Sequence, residues 1–570
     1  MGNLFLYALG TRRSRKVSGG ASWWGVVAVA AVVAGGAVGY KVLFDRPGEL
    51  AIGFLPADAQ LIITVDLSPS PGQAQTFKAI GDALKREGLL DELEKGIAEA
   101  ADQNELVREL RPHIKTSFAI GAWGIEHGQE PKYAAILIAV GNPGAVSSSL
   151  SKHLRAYRLD GENAFVIDKN TTATVLGSYL VLAPNEESVR RVIAVKAGKS
   201  PSAADLAAYQ EARKALPDDA NAMLFVSNSL LREAGKEAER ELRGANPFRH
   251  SGWFAAGLTV RSEGLLCSVR APFNAEEVRE IKPLAELPVL SLDSLGLLPR
   301  GAYGLAALSQ PAAIYDMIRN FALAKPESKR EMEDGLAKFR AETGFDLEQD
   351  VVPAFRGEFT VALYPSQVPG SDEPEALFIA DGANSADPST FIEKLRAAIN
   401  AGRFDKEGLR ARFSSQPYGN TTIHLLDVSD DPNAKGKTPC YAVLGKSVVA
   451  STSLTLLKQV VDTQGSAERA LRSDPRFKRM ADRGLAASRF TLMADLPSLV
   501  EAAAGKGEGP EWDWRKLFGD DGLTFGVAYD GKTVTAELFV PLDWLELVHR
   551  IGAEAKKNRN GPGPSSDMAF

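Results

Sequence analysis

"TVLGSYLVLA" occupies residues 174–183, and "AVLGKSVVAS" occupies 442–451, 268 residues further on. Each reads as two short apolar strands around a glycine turn, and the likeness continues downstream without a gap. Val189 and Val192 fall on Leu457 and Val460, Tyr209 on Phe477, and Leu224 on Leu492. Apolar spacing of that kind predicts strand, helix, second helix and strand, in one register, twice over.

Upstream the likeness persists at slightly different offsets, as loop insertions produce. "FLPADAQLIITVDLS" (54–68) matches "LLPRGAYGLAALSQP" (297–311), and "LRPHIKTSFAIGAW" (110–123) matches "VVPAFRGEFTVALY" (351–364). Each half closes on a hairpin-like pair of strands, with "SEG" and "DGK" as the turns. Alternating text such as "TVTAELFV" predicts strands with one buried face, and "AAILIAV" a strand covered on both. Helices are expected after Asx, Ser or Pro punctuation, as in "SDPRFKRM" and "ADPSTFIEKL". The fold class expected is α+β: two tandem homologous lobes, 54–273 and 297–543, each a mostly antiparallel sheet with packed helices. A Pro-bearing linker, 274–296, joins them.

Ahead of the lobes, "ASWWGVVAVAAVVAGGAVGY" (21–40) runs twenty residues without a charge, the length of a bilayer-crossing helix. Arg12, Arg13, Arg15 and Lys16 precede it, which predicts a cytoplasmic tail (1–20), an anchor (21–44) and an extracytoplasmic body. A cleaved signal peptide is the alternative. The tail from 544 onward ends in Gly/Pro-rich text and is expected to be a helix end followed by disorder. The net charge of −6 gives no electrostatic reason to expect a nucleic-acid partner.

The "LPAD" opening, the phrase "TGFDLEQDVVPAFRGE" (343–358), the anchor and the tandem copies resemble domain-of-unknown-function family 3352. That resemblance implies a bacterial membrane-anchored protein of similar length without an assigned activity, and it carries over no site residue. The first copy departs from the pattern, with "AADQNELVRELRP" (100–112) in place of the glycine-bearing phrase.

Candidate chemistry is thin. "AGKS" (197–200) and "LGKS" (444–447) resemble the end of a phosphate loop, but the glycine needed five residues earlier is Ile193 or Cys440. Asp346, Glu348 and Asp350, and Asp427, Asp430 and Asp431, offer oxygen ligands at spacings that suit turns and helix ends better than calcium. His424 alternates along a strand and reads as structural. Cys267 and Cys440 read as buried free thiols, and the sequons at Asn170 and Asn420 bear only on a eukaryotic secretory route. No catalytic, cofactor or metal residue is assigned.

Three readings follow. The first is a non-enzymatic envelope protein that binds a protein partner or acts as a scaffold. The second is a carrier or sensor of an apolar or small ligand held in or between the lobes. The third is an enzyme whose groups converge only in three dimensions.

Overall fold

The computed structural model describes residues 50–67, 72–78, 81, 104–126, 130–241, 251–273, 282–323, 326–366, 373–382, 387–405, 410–428, 438–495, 498 and 522–541. They fall in two compact units, divided between Phe273 and Asn274. The basic tail, the anchor expected at 21–44 and the C-terminal tail lie outside the described residues. Among the described residues no helix is long and apolar enough to cross a membrane.

The first unit contains β1 (Leu61–Asp66), α1 (Glu105–Leu110), β2 (Ile114–Trp123), β3 (Tyr133–Val140), α2 (Pro143–His153) and β4 (Arg155–Leu159). These are followed by β5 (Glu162–Asp168), β6 (Thr171–Leu176), β7 (Tyr179–Ala183), α3 (Glu186–Lys196) and α4 (Ala207–Ala215). The unit closes with β8 (Ala222–Ser227), α5 (Asn228–Glu241), β9 (Trp253–Arg261) and β10 (Gly264–Pro272). The described strands pair antiparallel in the order β4-β5-β6-β7-β3-β2-β1-β8-β9-β10. β3 is covered on both faces, as its unbroken apolar text requires. Leu137 and Ala139 face a core with Val189 and Val192 of α3 and Tyr209 of α4. Ile136 and Ile138 face Val146 and Leu150 of α2.

The second unit contains β11 (Gly304–Leu308), α6 (Ala312–Leu323), α7 (Pro326–Thr343), β12 (Phe359–Tyr364), β13 (Glu375–Ala380) and α8 (Pro388–Asn400). After these come β14 (Arg412–Tyr418), β15 (Thr421–Asp427), β16 (Cys440–Leu444), β17 (Ser447–Ser451) and α9 (Leu454–Gln464). α10 (Pro475–Arg483), β18 (Phe490–Ala494), β19 (Leu523–Tyr529) and β20 (Thr533–Pro541) complete it. Its described strands pair antiparallel in the order β14-β15-β16-β17-β13-β12-β11-β18-β19-β20. Leu377, Ile379 and Val449 pack against Leu457 and Val460 of α9 and Phe477 of α10.

The registers run in step. Leu61 pairs with Val226 and Ala122, and Gly304 with Ala494 and Leu363. Ile136 pairs with Leu182, and Phe378 with Ala450. Val260 pairs with Leu265, and Tyr529 with Val534.

Local chemistry explains the element boundaries. Asn142, Asn185, Asp387, Ser453 and Asp474 each accept a backbone N–H at the start of a helix, satisfying donors the first turn leaves open. Gly177 and Gly445 take φ of +57° and +63° in two-residue hairpins, a region open to glycine at little cost. One boundary differs from the sequence reading. Leu290 and Leu295, expected in the linker, lie in the second unit's core. The cause is Glu358, whose carboxylate accepts from the Ser291 and Leu292 amides and the Ser294 hydroxyl, drawing 290–294 onto the sheet.

Candidate functional site

At one end of the first unit's sheet, several chain segments stop at the same level. Residues 57–60 lead into β1, Gly124 follows β2, and 225–229 pass from β8 into α5. With Leu206 and Ala208 at the start of α4, and Gly252 before β9, they line an open cleft of about 470 Å³. That volume is in the range of small-ligand sites. Gly124 has φ of +65°, and a Cβ there would lie 3.1 Å from Lys132 Cβ, so the chain turns at this point without a side chain.

The lining is aliphatic with a small polar rim. Gln60, just ahead of β1, is fixed by the end of the neighbouring β2: its Oε1 accepts from the Ile125 amide at 2.6 Å. That contact settles which end of the amide is oxygen, because a backbone N–H can only donate. Its Nε2 is left with two long contacts of 3.4 Å, to Ile125 O and Ser229 Oγ. Ser227 and Ser229 share a hydroxyl–hydroxyl hydrogen bond of 2.8 Å. Asn228 donates to Ser251 O and accepts from Arg232. The one carboxylate, Asp58, is paired with Arg191 at 2.7 Å.

A second polar constellation lies in the second unit, between α8 and the sheet. Adjacent strands carry Ser415, His424 and Tyr441 in one row. His424 Nδ1 is 2.8 Å from Ser415 Oγ and 3.2 Å from Arg396 Nη1, and its ring stacks on Tyr441 at 4.6 Å. Tyr441 donates to Glu393, which also pairs with Arg396. Burial, and then the Arg396 charge, push the His424 pKa below its usual 6.5. The serine and the arginine share one ring nitrogen. Among the described residues no carboxylate meets the other, so the orienting member of a nucleophilic triad is missing. A surface hollow of about 460 Å³ along α8 includes Glu393 and Lys394, but Lys394 is paired with Asp350 at 2.7 Å.

Glu105, Glu109 and His153 come together without any signal having been read in the sequence. A Glu pair four apart on α1, facing the Lys152–His153 end of α2, is the pattern that would have found them. Lys152 Nζ lies 2.6 Å from Glu109 and 3.6 Å from Glu105, so both carboxylates already face a cation. Its hydrogen bond, then that of His153, hold Glu109 down at about 2.

The residues singled out in the sequence are dispersed. "AGKS" forms the C-terminal cap of α3, with Gly198 at φ +68° and the Lys199 amide donating to Ala194 O. "LGKS" is the β16–β17 hairpin. Asp346 caps the turn at 347–351, Glu348 pairs with Arg319, and Asp350 accepts the Asp346 amide. Three carboxylates with three separate partners do not converge. Asp427 ends β15, and Asp430 and Asp431 lie outside the described residues. Cys267 and Cys440 are free thiols on β10 and β16.

A family model described as "Protein of unknown function (DUF3352)" matches residues 25–411. The chain belongs to this family. Within this DUF3352 chain the match runs through the first unit, including the cleft, and ends before β14. No curated protein matches the chain. Among solved structures, crystal forms I, III and IV of TP0453 are similar at 11%, 10% and 9% identity. They cover 44%, 40% and 39% of this chain, and 89%, 80% and 79% of theirs. The TM-score is 0.24 in each case, which carries no argument.

Proposed function

We propose that this chain is a membrane-anchored, extracytoplasmic binding protein, without catalysis of its own, whose body is two copies of one α+β fold. The in-step registers support the duplication: a one-residue slip in any strand would send its apolar set to the wrong face. The uncharged run at 21–40 behind a basic cluster supports the anchor and the orientation. Binding rather than chemistry rests on one observation. The first-unit cleft is built from aliphatic and neutral polar groups, and its single carboxylate is tied to Arg191. Such a site suits recognition, since its one acid is held in an ion pair and no basic side chain lines it. A protein partner in the envelope is the leading occupant, and a carrier of a small ligand is the second reading, favoured by the cleft's volume.

Protease added to intact spheroplasts tests the topology, since it would remove the body and leave a short membrane fragment. Digestion only after lysis would overturn it. Capture from native membranes through the intact anchor, with an envelope protein retained at stoichiometric yield, tests the partner.

A further inference from the structure

The lining of the first-unit cleft differs from the second unit at positions that carry the same backbone hydrogen bonds. The Ser227 amide donates to Gln60 O, and the Asp495 amide to Tyr303 O. The Ala203 amide donates to Leu55 O, and the Leu471 amide to Leu298 O; the Ala57 amide to Pro201 O, and the Arg300 amide to Arg469 O. These bonds put Ala57, Leu206, Ala208 and Ser227 in register with Arg300, Asp474, Arg476 and Asp495. In the second unit those four are charged, and three of them are tied together. Arg476 pairs with Asp495 at 2.5 Å and reaches Asp474 at 3.6 Å, and Arg300 donates to Ser473 O at 3.1 Å. Asp474 and Asp495 are buried. In the first unit the same positions are small or apolar, and all four line the cleft.

The rim has a definite complement. Gln60 Nε2, aimed by the Ile125 amide and poorly satisfied at 3.4 Å, offers a donor to a ligand carbonyl. The Ser227 and Ser229 hydroxyls beside it offer an acceptor to a ligand N–H. The N–H and the C=O of a single residue in an extended peptide point to the same side a few ångströms apart and match this pair, whereas within one trans amide they point opposite ways. Below them Ala57, Ala59, Leu206 and Ala208 provide an aliphatic floor. Phe225 lines the cleft but is fully buried, so no ring face is presented for stacking a sugar. With Asp58 committed to Arg191, a charged ligand would lose hydration without gaining an opposite charge.

We propose that this cleft binds an uncharged peptide amide bearing a branched aliphatic side chain, as an exposed polypeptide segment of a partner would present it. The proposal rests on the binding reading above and gives it a ligand class. The probe is N-acetyl-L-leucine N-methylamide, with N-acetyl-L-leucine as its carboxylate counterpart and N-acetylglucosamine as a neutral sugar. Saturation-transfer NMR on the full chain in nanodiscs should show transfer to the leucine methyls of the neutral amide. The carboxylate should bind about tenfold more weakly, a difference of ~1.4 kcal/mol. Ala208→Arg with Ser227→Asp, which installs the second unit's ion pair, should abolish the signal. Gln60→Leu, which keeps the aliphatic floor and removes only the donor, should weaken it by about tenfold, and it decides the matter should the double variant not fold. No transfer from the neutral amide, equal binding of the carboxylate, stronger transfer to the sugar, or a signal unchanged in Gln60→Leu would each overturn the assignment. Any of those results, alongside a protease-sensitive body, would leave the anchored-protein reading standing.

Discussion

Val181 and Val449 stand 268 residues apart, both fully buried, and each is flanked by two strands: Val181 by Thr174 and Leu137, Val449 by Ala442 and Ile379. Each belongs to a separate apolar core. Val181→Asp and Val449→Asp are therefore expected to cost roughly 3 kcal/mol or more each, by burying a carboxylate without a partner. Limited proteolysis should cut chiefly the unit that carries the substitution. Equal cutting of both units by either variant would contradict separate cores.

Glu358 gives a sharper test of what fastens 290–294 to the second unit. It is buried and accepts from Ser291, Leu292 and Ser294. Glu358→Ala would leave those donors without their acceptor, a loss of about 2–3 kcal/mol. Glu358→Gln, which retains one acceptor oxygen, should lose less. Urea unfolding measures both, and equal stabilities for Ala and wild type would refute the role.

His424 predicts a pH dependence of the second unit. Its folded pKa lies below the usual 6.5, through burial and Arg396. The folded state therefore resists a proton that the unfolded chain accepts, and stability present above about 6.5 is lost as pH falls below it. The charges facing the ring are Glu393 and Arg396 from α8, with Tyr441 beside it on β16. Between pH 7.5 and 5.5 the melting temperature of wild type should fall more than that of His424→Gln. An identical fall in the two would remove His424 as the cause.

Thiol reactivity separates the two cysteines. Burial raises the Cys267 pKa, while burial and then the Glu375 charge push Cys440 up to about 12. At pH 8 iodoacetamide should label native Cys267 slowly and Cys440 more slowly still, since the thiolate is the reacting form. In denaturant without reductant both should label fully. Failure of both to label would mean a disulfide.

Much of this architecture was legible in the sequence because it is enforced locally. Gly177 and Gly445 mark hairpins since few other residues take positive φ cheaply. Asp387 and Asp474 mark helix starts since their side chains reach amides two or three residues on. Val189, Val192, Leu457 and Val460 repeat at helical spacing because a core accepts only apolar volume there. Order and pairing were a different matter. β1 lies between β2 and β8, whose residues are some 50 and 160 positions away, and nothing local to 61–66 names either neighbour. The cleft was invisible for the same reason. Ala57, Gln60, Gly124, Leu206, Ala208 and Ser227 are individually ordinary, and only the end of a folded sheet brings them to one place. Even the contrast between Ser227 and Asp495 reads along the chain as surface drift. Arg476 meets Asp495 only in the folded second unit, because an ion pair forms only where both partners arrive.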